Sequence, residues 1–370
     1  MLLRYNEIDL RSFFIVFISF VGNAQINGFD LVLFVLTPAF LLLFFKAHWS
    51  ISRKGALVFA LLISLFSVIA LQAALINAPY FDGYYLWPLK AILVSIIVSF
   101  GGKMKWPILN SIALGLVCFA LFLIGDYEGG RFSSVFGPNM LYRIFGFLML
   151  FSLANNMKNM DNHSGRHLFT PLLLIAFGAF GSFITGSSGA LVIIALTTLI
   201  FLYQLKNTLL LVIVMLTIVL CVTFFTFPGS DFSWVRLSSF ERIIYKLSNL
   251  AVDARLSGWI EILSDPISVF GRSHQYYNHL WNFGYSYPHN VFVELYAFFG
   301  ISGALSIILI LYACIVSLPL AFRGDTLSIL FLVLLFGALF SGDLSDNYGV
   351  LGLSGGIAVI FWGRSLPAWR

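Results

Sequence analysis

Long, almost uncharged apolar runs alternate with short polar connections along the whole chain. About 20 mostly apolar residues are needed to cross roughly 30 Å of hydrocarbon, so the pattern predicts membrane-spanning helices. Candidate spans run near Ser12 to Ala24, Leu31 to Phe45, Ala56 to Ile76, Trp87 to Phe100, Trp106 to Ile124, Met140 to Met157, Leu168 to Thr185, Ala190 to Tyr203, Thr208 to Phe227, Val291 to Leu318, Leu327 to Phe340 and Tyr348 to Trp362. The expected fold is all-α: a single polytopic transmembrane helix bundle of about 12 spans over residues 1–370. Polar Asn23, Gln25 and Asn27, with a second span immediately behind them, argue against a cleavable signal peptide.

One segment departs from this rhythm. Pro228 to Pro288 is a long hydrophilic connection, and long loops in compact domains are usually functional. Ser238 with Glu241 three residues on makes a capping-box signature, and Ile243, Ile244, Leu247, Leu250, Ala251 and Ala254 follow at helical spacing. A second helix is expected to carry Arg255, Trp259 and Ile262 on one face and to end near Asp265 and Pro266. These amphipathic helices suit the membrane–water boundary. Gly271 to Pro288 reads as irregular and rich in aromatic residues, including Tyr276, Tyr277, Trp281 and Tyr285, which suit sugar rings and interfacial belts equally.

Composition sharpens the class. Only 10% of residues are charged and mean hydropathy is +0.95, against roughly 25% charged in soluble domains, which excludes a water-soluble fold. The net charge of +5 is scattered between apolar runs and forms no basic patch with interleaved aromatics, so nucleic acid is not an expected partner. Cys118, Cys221 and Cys314 each lie inside an apolar run and read as packing residues. The cations fall on alternate connections: Arg4, Arg11, Lys46, Arg53, Lys54, Lys103, Lys105, Lys158, Arg166, Lys206, Arg323, Arg364 and Arg370 lie on one side. Asp30, Asp82, Asp126, Glu128, Asp343 and Asp346 lie on the other. Short cytoplasmic loops retain Lys and Arg, so both termini are expected in the cytoplasm and the 228–288 loop outside.

Four clusters carry candidate chemistry. In Pro288-His289-Asn290-Val291-Phe292-Val293-Glu294, His289 stands where the outer loop re-enters the membrane. Asn290 and Glu294 share a helical face at i,i+4, whereas His289 and Glu294 do not stack. A carboxylate a turn into an apolar helix is costly if it faces lipid, which marks Glu294 as functional or structurally paired. In Arg131-Phe132-Ser133-Ser134-Val135-Phe136-Gly137-Pro138-Asn139, Asn139 falls on one face with Arg143. Arg143 either snorkels to lipid phosphate or faces a polar cavity. Arg255, with Arg242 upstream and Arg272 downstream, offers guanidinium forks that match a diphosphate. Nearby acids make ordinary surface pairing the alternative for most of these cations. Thr185-Gly186-Ser187-Ser188-Gly189-Ala190 forms a tight turn of small residues between two spans. The His residues lack zinc-ligand spacing, and the Asp126/Glu128 pair alone is weak support for a metal site, so no metal or cofactor is expected.

Taken in order, these elements resemble the O-antigen polymerase and O-antigen ligase superfamily of bacterial inner-membrane glycosyltransferases. The resembling elements are Arg131 to Asn139, Thr185 to Ala190, Arg255 to Trp259, Gly271, and His289-Asn290 with Glu294, Gly300 and Gly303. One departure stands out: the family's turn commonly reads Thr-x-Ser-Arg-Gly, and Ser188 occupies the position expected for Arg. The resemblance implies metal-independent transfer of a glycan from an undecaprenyl diphosphate-linked donor on the outer face of the membrane. It implies His289 as general base and Arg255 as the leading diphosphate ligand. Arg131, Arg143, Arg272 and Arg242 would be secondary, with Asn139, Asn290 and Glu294 lining the substrate site. The expected partners are the lipid-linked oligosaccharide, the bilayer, and a chain-length regulator or flippase of the same pathway. Polymerase is preferred over ligase because the chain is compact and departs at Ser188. A flippase of lipid-linked sugars is the alternative from a different class, and would require ionisable groups along a path at mid-membrane.

Overall fold

A computed structural model describes residues 7–20, 25–26, 29–30, 37–38, 52–77, 86–101, 104–128, 131–134, 136–160, 169–185, 187–204, 254–277, 288–339, 344 and 346–363. The capping box at Ser238 and Glu241, Arg242, the span expected from Thr208 to Phe227 and nearly all of that from Leu31 to Phe45 lie outside the described residues. The described chain is almost wholly helical, in keeping with the all-α expectation. In order, the helices are α1 Glu7–Phe20, α2 Arg53–Gln72, α3 Trp87–Gly101, α4 Ile108–Leu123, α5 Pro138–Met160, α6 Phe169–Ile184, α7 Ser188–Gln204, α8 Ala254–Ser264, α9 Val291–Ala321, α10 Thr326–Ala338 and α11 Tyr348–Gly363. Two small antiparallel ribbons interrupt them, β1 Gln25–Ile26 with β2 Phe29–Asp30, and β3 Asp126–Glu128 with β4 Arg131–Ser133.

The chain divides into two compact units, residues 1–105, 252–318 and 330–370 in one, and 106–251 with 319–329 in the other. In the first, α11 packs along α3 and α2. Gly352 and Gly356 make this possible, since a Cβ on either would lie 2.5 Å or less from a Val94 or Val98 side-chain atom; small residues let helix backbones approach closely. In the second unit α5 is the centre. Residues 141–153 are buried all round, against α6 chiefly and against α7 and α4.

Helices α4 and α9 bury several small and polar residues and turn large apolar ones outward, and α2 likewise exposes an apolar face. In α4 Asn110, Ser111, Gly115 and Cys118 are buried while Leu116, Phe119 and Leu123 are exposed. In α2 Gln72 is buried together with Leu62, Phe66 and Ile69, while Leu57, Leu61, Val68 and Leu71 are exposed at helical spacing, so the helix is apolar on both faces. In α9 Ser302, Ser306 and Ser317 are inside and Ile301, Leu305, Ile308 and Ile315 outside. Apolar faces turned outward in this way are not those of a helix packed in water. Among the described residues two helices, Arg53–Leu75 and Val291–Ala321, are long and apolar enough to cross a membrane; the other apolar helices are shorter.

The expected span from Val291 to Leu318 is not one straight helix. Gly300 has φ 54 and ψ −124, outside helical backbone space. In an unbroken helix the Ile301 N–H would bond the Ala297 carbonyl four residues back. Instead Ile301 N donates to Val269 O at 3.3 Å, and Ala297 O accepts from Arg272 N at 2.9 Å. The outer-loop segment 269–272 has taken over the missing helical bond from both sides. Past the break the chain bends so far that a Cβ on Gly303 would meet Leu295 O at 1.9 Å. The run from Ile301 to Ala321 is still about 31 Å long at roughly 1.5 Å per residue, enough by itself for a span.

Candidate functional site

In the first unit the site is built around the short half of α9, residues 291–299. Asn290 caps it, its Oδ1 accepting from the backbone of Phe292 at 3.0 Å and Val293 at 3.2 Å. The same side chain donates from Nδ2 to Leu339 O at 3.2 Å, while Glu294, a turn on, accepts the Leu344 N–H at 3.1 Å. Both residues therefore clamp the connection between α10 and α11. Glu294 is fully buried within protein, so of its two sequence readings the structurally paired one describes its contact here. His289, immediately before the cap, has φ 56. Among the described residues it is the single non-glycine in the left-handed region, a conformation that costs about 1–3 kcal/mol and concentrates at functional sites.

Helix α8 is tied to this half-helix at two points. Trp259 Nε1 donates to Pro288 O at 2.6 Å, directly beside His289, and Tyr296 Oη donates to Asp265 O at 2.7 Å. Arg255 lies one turn before Trp259 on the same helix, so the Arg-x-x-x-Trp element and His289 belong to one construction. Ile262 is buried and Trp259 half-buried, and the helix ends at Ser264, as its sequence predicts. Arg272 is committed elsewhere: it is ion-paired with Asp265, donates to Pro266 O at 3.3 Å and lies over the Tyr276 ring, 4.3 Å from its centroid. Burial pushes the Tyr277 phenol up to about 12, with the neighbouring Arg272 charge opposing the shift. Below pH 10 folded and unfolded Tyr277 are both neutral. From there to about pH 12 the unfolded phenol ionises while the folded one does not, and stability falls. Tyr277→Phe should flatten that alkaline fall in detergent unfolding curves and leave the neutral range unchanged.

The second unit joins two motifs that the sequence could not connect. Asn139 Oδ1 accepts from Arg131 Nη2 at 2.8 Å and from Ser187 Oγ at 3.4 Å, so the 131–139 element and the 185–190 turn meet at one side chain. Ser182 Oγ donates to Tyr142 O at 3.2 Å, and Thr185 Oγ1 donates to Ser182 O at 2.7 Å. Gly189 lies so close to Tyr142 that a Cβ there would sit 2.4 Å from the hydroxyl. Arg143 is 1% exposed and its Nε donates to Tyr142 Oη at 3.5 Å. Burial inside protein disfavours the snorkelling reading of this arginine.

Two residues that sequence reading passed over also matter. Lys90 is buried with its ammonium over the Tyr348 ring, 5.3 Å from the centroid, and Gln72 bonds both Ser302 Oγ and Phe270 O. A lone cation or amide inside an apolar run was the available signal. Among the described residues no three His, Cys, Asp or Glu side chains gather closely enough to hold a metal ion. Compared with protein-family models and with curated proteins, the chain matches none.

The clamp makes a testable expectation. Asn290→Ala removes both the cap and the donor to Leu339, and should lower stability by about 1–2 kcal/mol. Asn290→Asp retains the cap but sets a carboxylate oxygen against the Leu339 carbonyl in place of the donor, so its thermal midpoint in detergent should also fall below the parent's.

Proposed function

We propose that the chain is a polytopic glycosyltransferase of the bacterial inner membrane, an O-antigen polymerase. It joins a glycan carried on undecaprenyl diphosphate to a lipid-linked repeat-unit acceptor at the outer face. Both termini are cytoplasmic, the spans number about 12, and the His289 end faces the exterior. The exposed apolar faces of α2, α4 and α9 support the membrane setting. The observation that carries the catalytic reading is the bond from Trp259 to the Pro288 carbonyl. It ties the helix of Arg255, the residue type suited to a diphosphate, to His289, a residue type suited to taking up a proton.

The chemistry follows from these two groups. His289 accepts the proton of the acceptor hydroxyl as its oxygen attacks the anomeric carbon of the donor. The anomeric C–O bond to the diphosphate breaks, and undecaprenyl diphosphate leaves with the electron pair. Arg255 offsets the negative charge gathering on that leaving group, a charge-assisted contact worth about 1.5–3 kcal/mol. The donor already carries its leaving group, so the reaction requires no cofactor.

Arg255→Lys keeps the charge and loses the fork, so it should shorten surface glycans markedly at unchanged protein level, with Arg255→Ala worse. Near-normal glycan lengths in both variants would leave Arg255 as a surface cation. In a deletion strain, glycans capped at a single repeat support the polymerase. Accumulated lipid-linked polymer would assign a ligase instead, and repeat units trapped on the inner face a flippase.

A further inference from the structure

We propose that Ile267, Val269 and Phe270 form a lipid-inserted wedge, an irregular piece of the outer loop that reaches acyl-chain depth beside α2 and the break in α9. The inference rests on the membrane reading above and adds a site where the loop itself meets bilayer hydrocarbon. These three side chains are 45%, 58% and 68% exposed, close together in sequence and apolar. Single exposed apolar residues are ordinary on any surface, but a cluster is not.

Its neighbours identify what covers it. Gln72 Nε2 donates to Phe270 O at 3.5 Å, and Gln72 Oε1 accepts from Ser302 Oγ, so the wedge, α2 and the long half of α9 meet at one amide. The residues flanking that junction on the two helices, Leu71 and Leu75 on one side and Ile301 and Leu305 on the other, are exposed as well. The wedge therefore continues the same outward apolar face that the spanning helices present.

Irregular backbone survives at hydrocarbon depth only where protein satisfies its polar groups. Protein satisfies several of them here: Val269 O accepts from Ile301 N, Phe270 O from Gln72, Gly271 O from Ser268 Oγ at 3.0 Å, and Arg272 N donates to Ala297 O. The base of the wedge is charged. Asp265 and Arg272 pair across it, with Arg272 also bonded to Pro266 O, and an ion pair of this kind belongs at the headgroup level. An apolar tip on an ion-paired base sets the insertion depth and holds α8 and His289 beside the headgroups, where a lipid-linked diphosphate lies.

The test uses the full chain in phosphatidylcholine vesicles. Cys118, Cys221 and Cys314 are replaced, and single nitroxide-labelled cysteines are placed at Val269 and Phe270, with controls at Leu71, Ile308 and exposed Gln275. Oxygen collisions should exceed those of a water-soluble nickel chelate several-fold at 269 and 270, as at 71 and 308, with the reverse at 275. Nickel access at 270 alongside lipid-like values at 71 and 308 would overturn the wedge and leave the membrane reading standing. Nickel access at 71 and 308 would overturn both. Exclusion of both collision partners at 270 would mean that protein, not lipid, covers the patch, and would overturn the wedge as well. Should the labelled variants fail to fold, Phe270→Trp in vesicles of brominated phosphatidylcholine probes the same contact: strong quenching of the added emission supports the wedge, and none overturns it.

Discussion

His289→Ala should bind donor and fail to turn it over, with a loss of about 10²- to 10⁴-fold in rate, the usual contribution of a general base. The residue stands between Pro288, whose carbonyl is held by Trp259, and Asn290, which caps α9. Its backbone is fixed from both sides while its left-handed φ sets the direction in which the side chain leaves the chain. Neutral imidazole is the working form in the proposed reaction. The rate should therefore fall on acidification, as the base becomes protonated, while donor binding, governed by guanidinium and diphosphate, changes much less. A purely structural histidine would lower binding and folding together and show no such separation. His289→Ala at wild-type level within a few-fold of the parent rate would transfer the role of base to another group, with Glu294 next to be tested.

The other large effect is on folding. Gly300→Ala should abolish most of the folded protein, because φ 54 with ψ −124 is open to glycine alone and a Cβ would lie 1.9 Å from Ser268 O. Gly271→Ala meets the same obstacle from the opposite side of the junction, with φ 76 and a Cβ 2.1 Å from Phe298 O. Both obstacles are backbone atoms and cannot rotate aside, so each cost should exceed about 4 kcal/mol, the exceptional end of single substitutions. Gly258→Ala is the internal control. Nothing lies within 4 Å of its Cβ and it sits in helix α8, so stability should hold or rise by up to about 1 kcal/mol. Thermal midpoints and monodisperse yield in detergent separate the three variants.

The break at Gly300 also marks the limit of what the sequence could reveal. Local pattern predicts most of the described helices, including α8 with its end at Ser264, because apolar period and length are properties of neighbouring residues. The Asn290 and Glu294 face was legible for the same reason. The bend in α9 was not, since it depends on two hydrogen bonds from a segment about 30 residues upstream that replace a helical one. Gly271, Gly300 and Gly303 were visible as motif glycines, but the junction that Gly271 and Gly300 share exists only in three dimensions. The meeting of Arg131, Asn139 and Ser187 is likewise a tertiary fact, as is the burial that turns Arg143 from a lipid-facing candidate into an interior cation.

The central claim is best tested with purified protein in vesicles, supplied with an undecaprenyl diphosphate-linked repeat unit and no second enzyme. Released undecaprenyl diphosphate and glycan length are followed together. The expected result is a ladder of lengthened lipid-linked glycans with one diphosphate carrier released per repeat added, lost in His289→Ala and strongly reduced in Arg255→Lys. Donor that binds but neither lengthens nor releases its carrier with the wild-type protein, or lengthening that is indifferent to both substitutions, would contradict it.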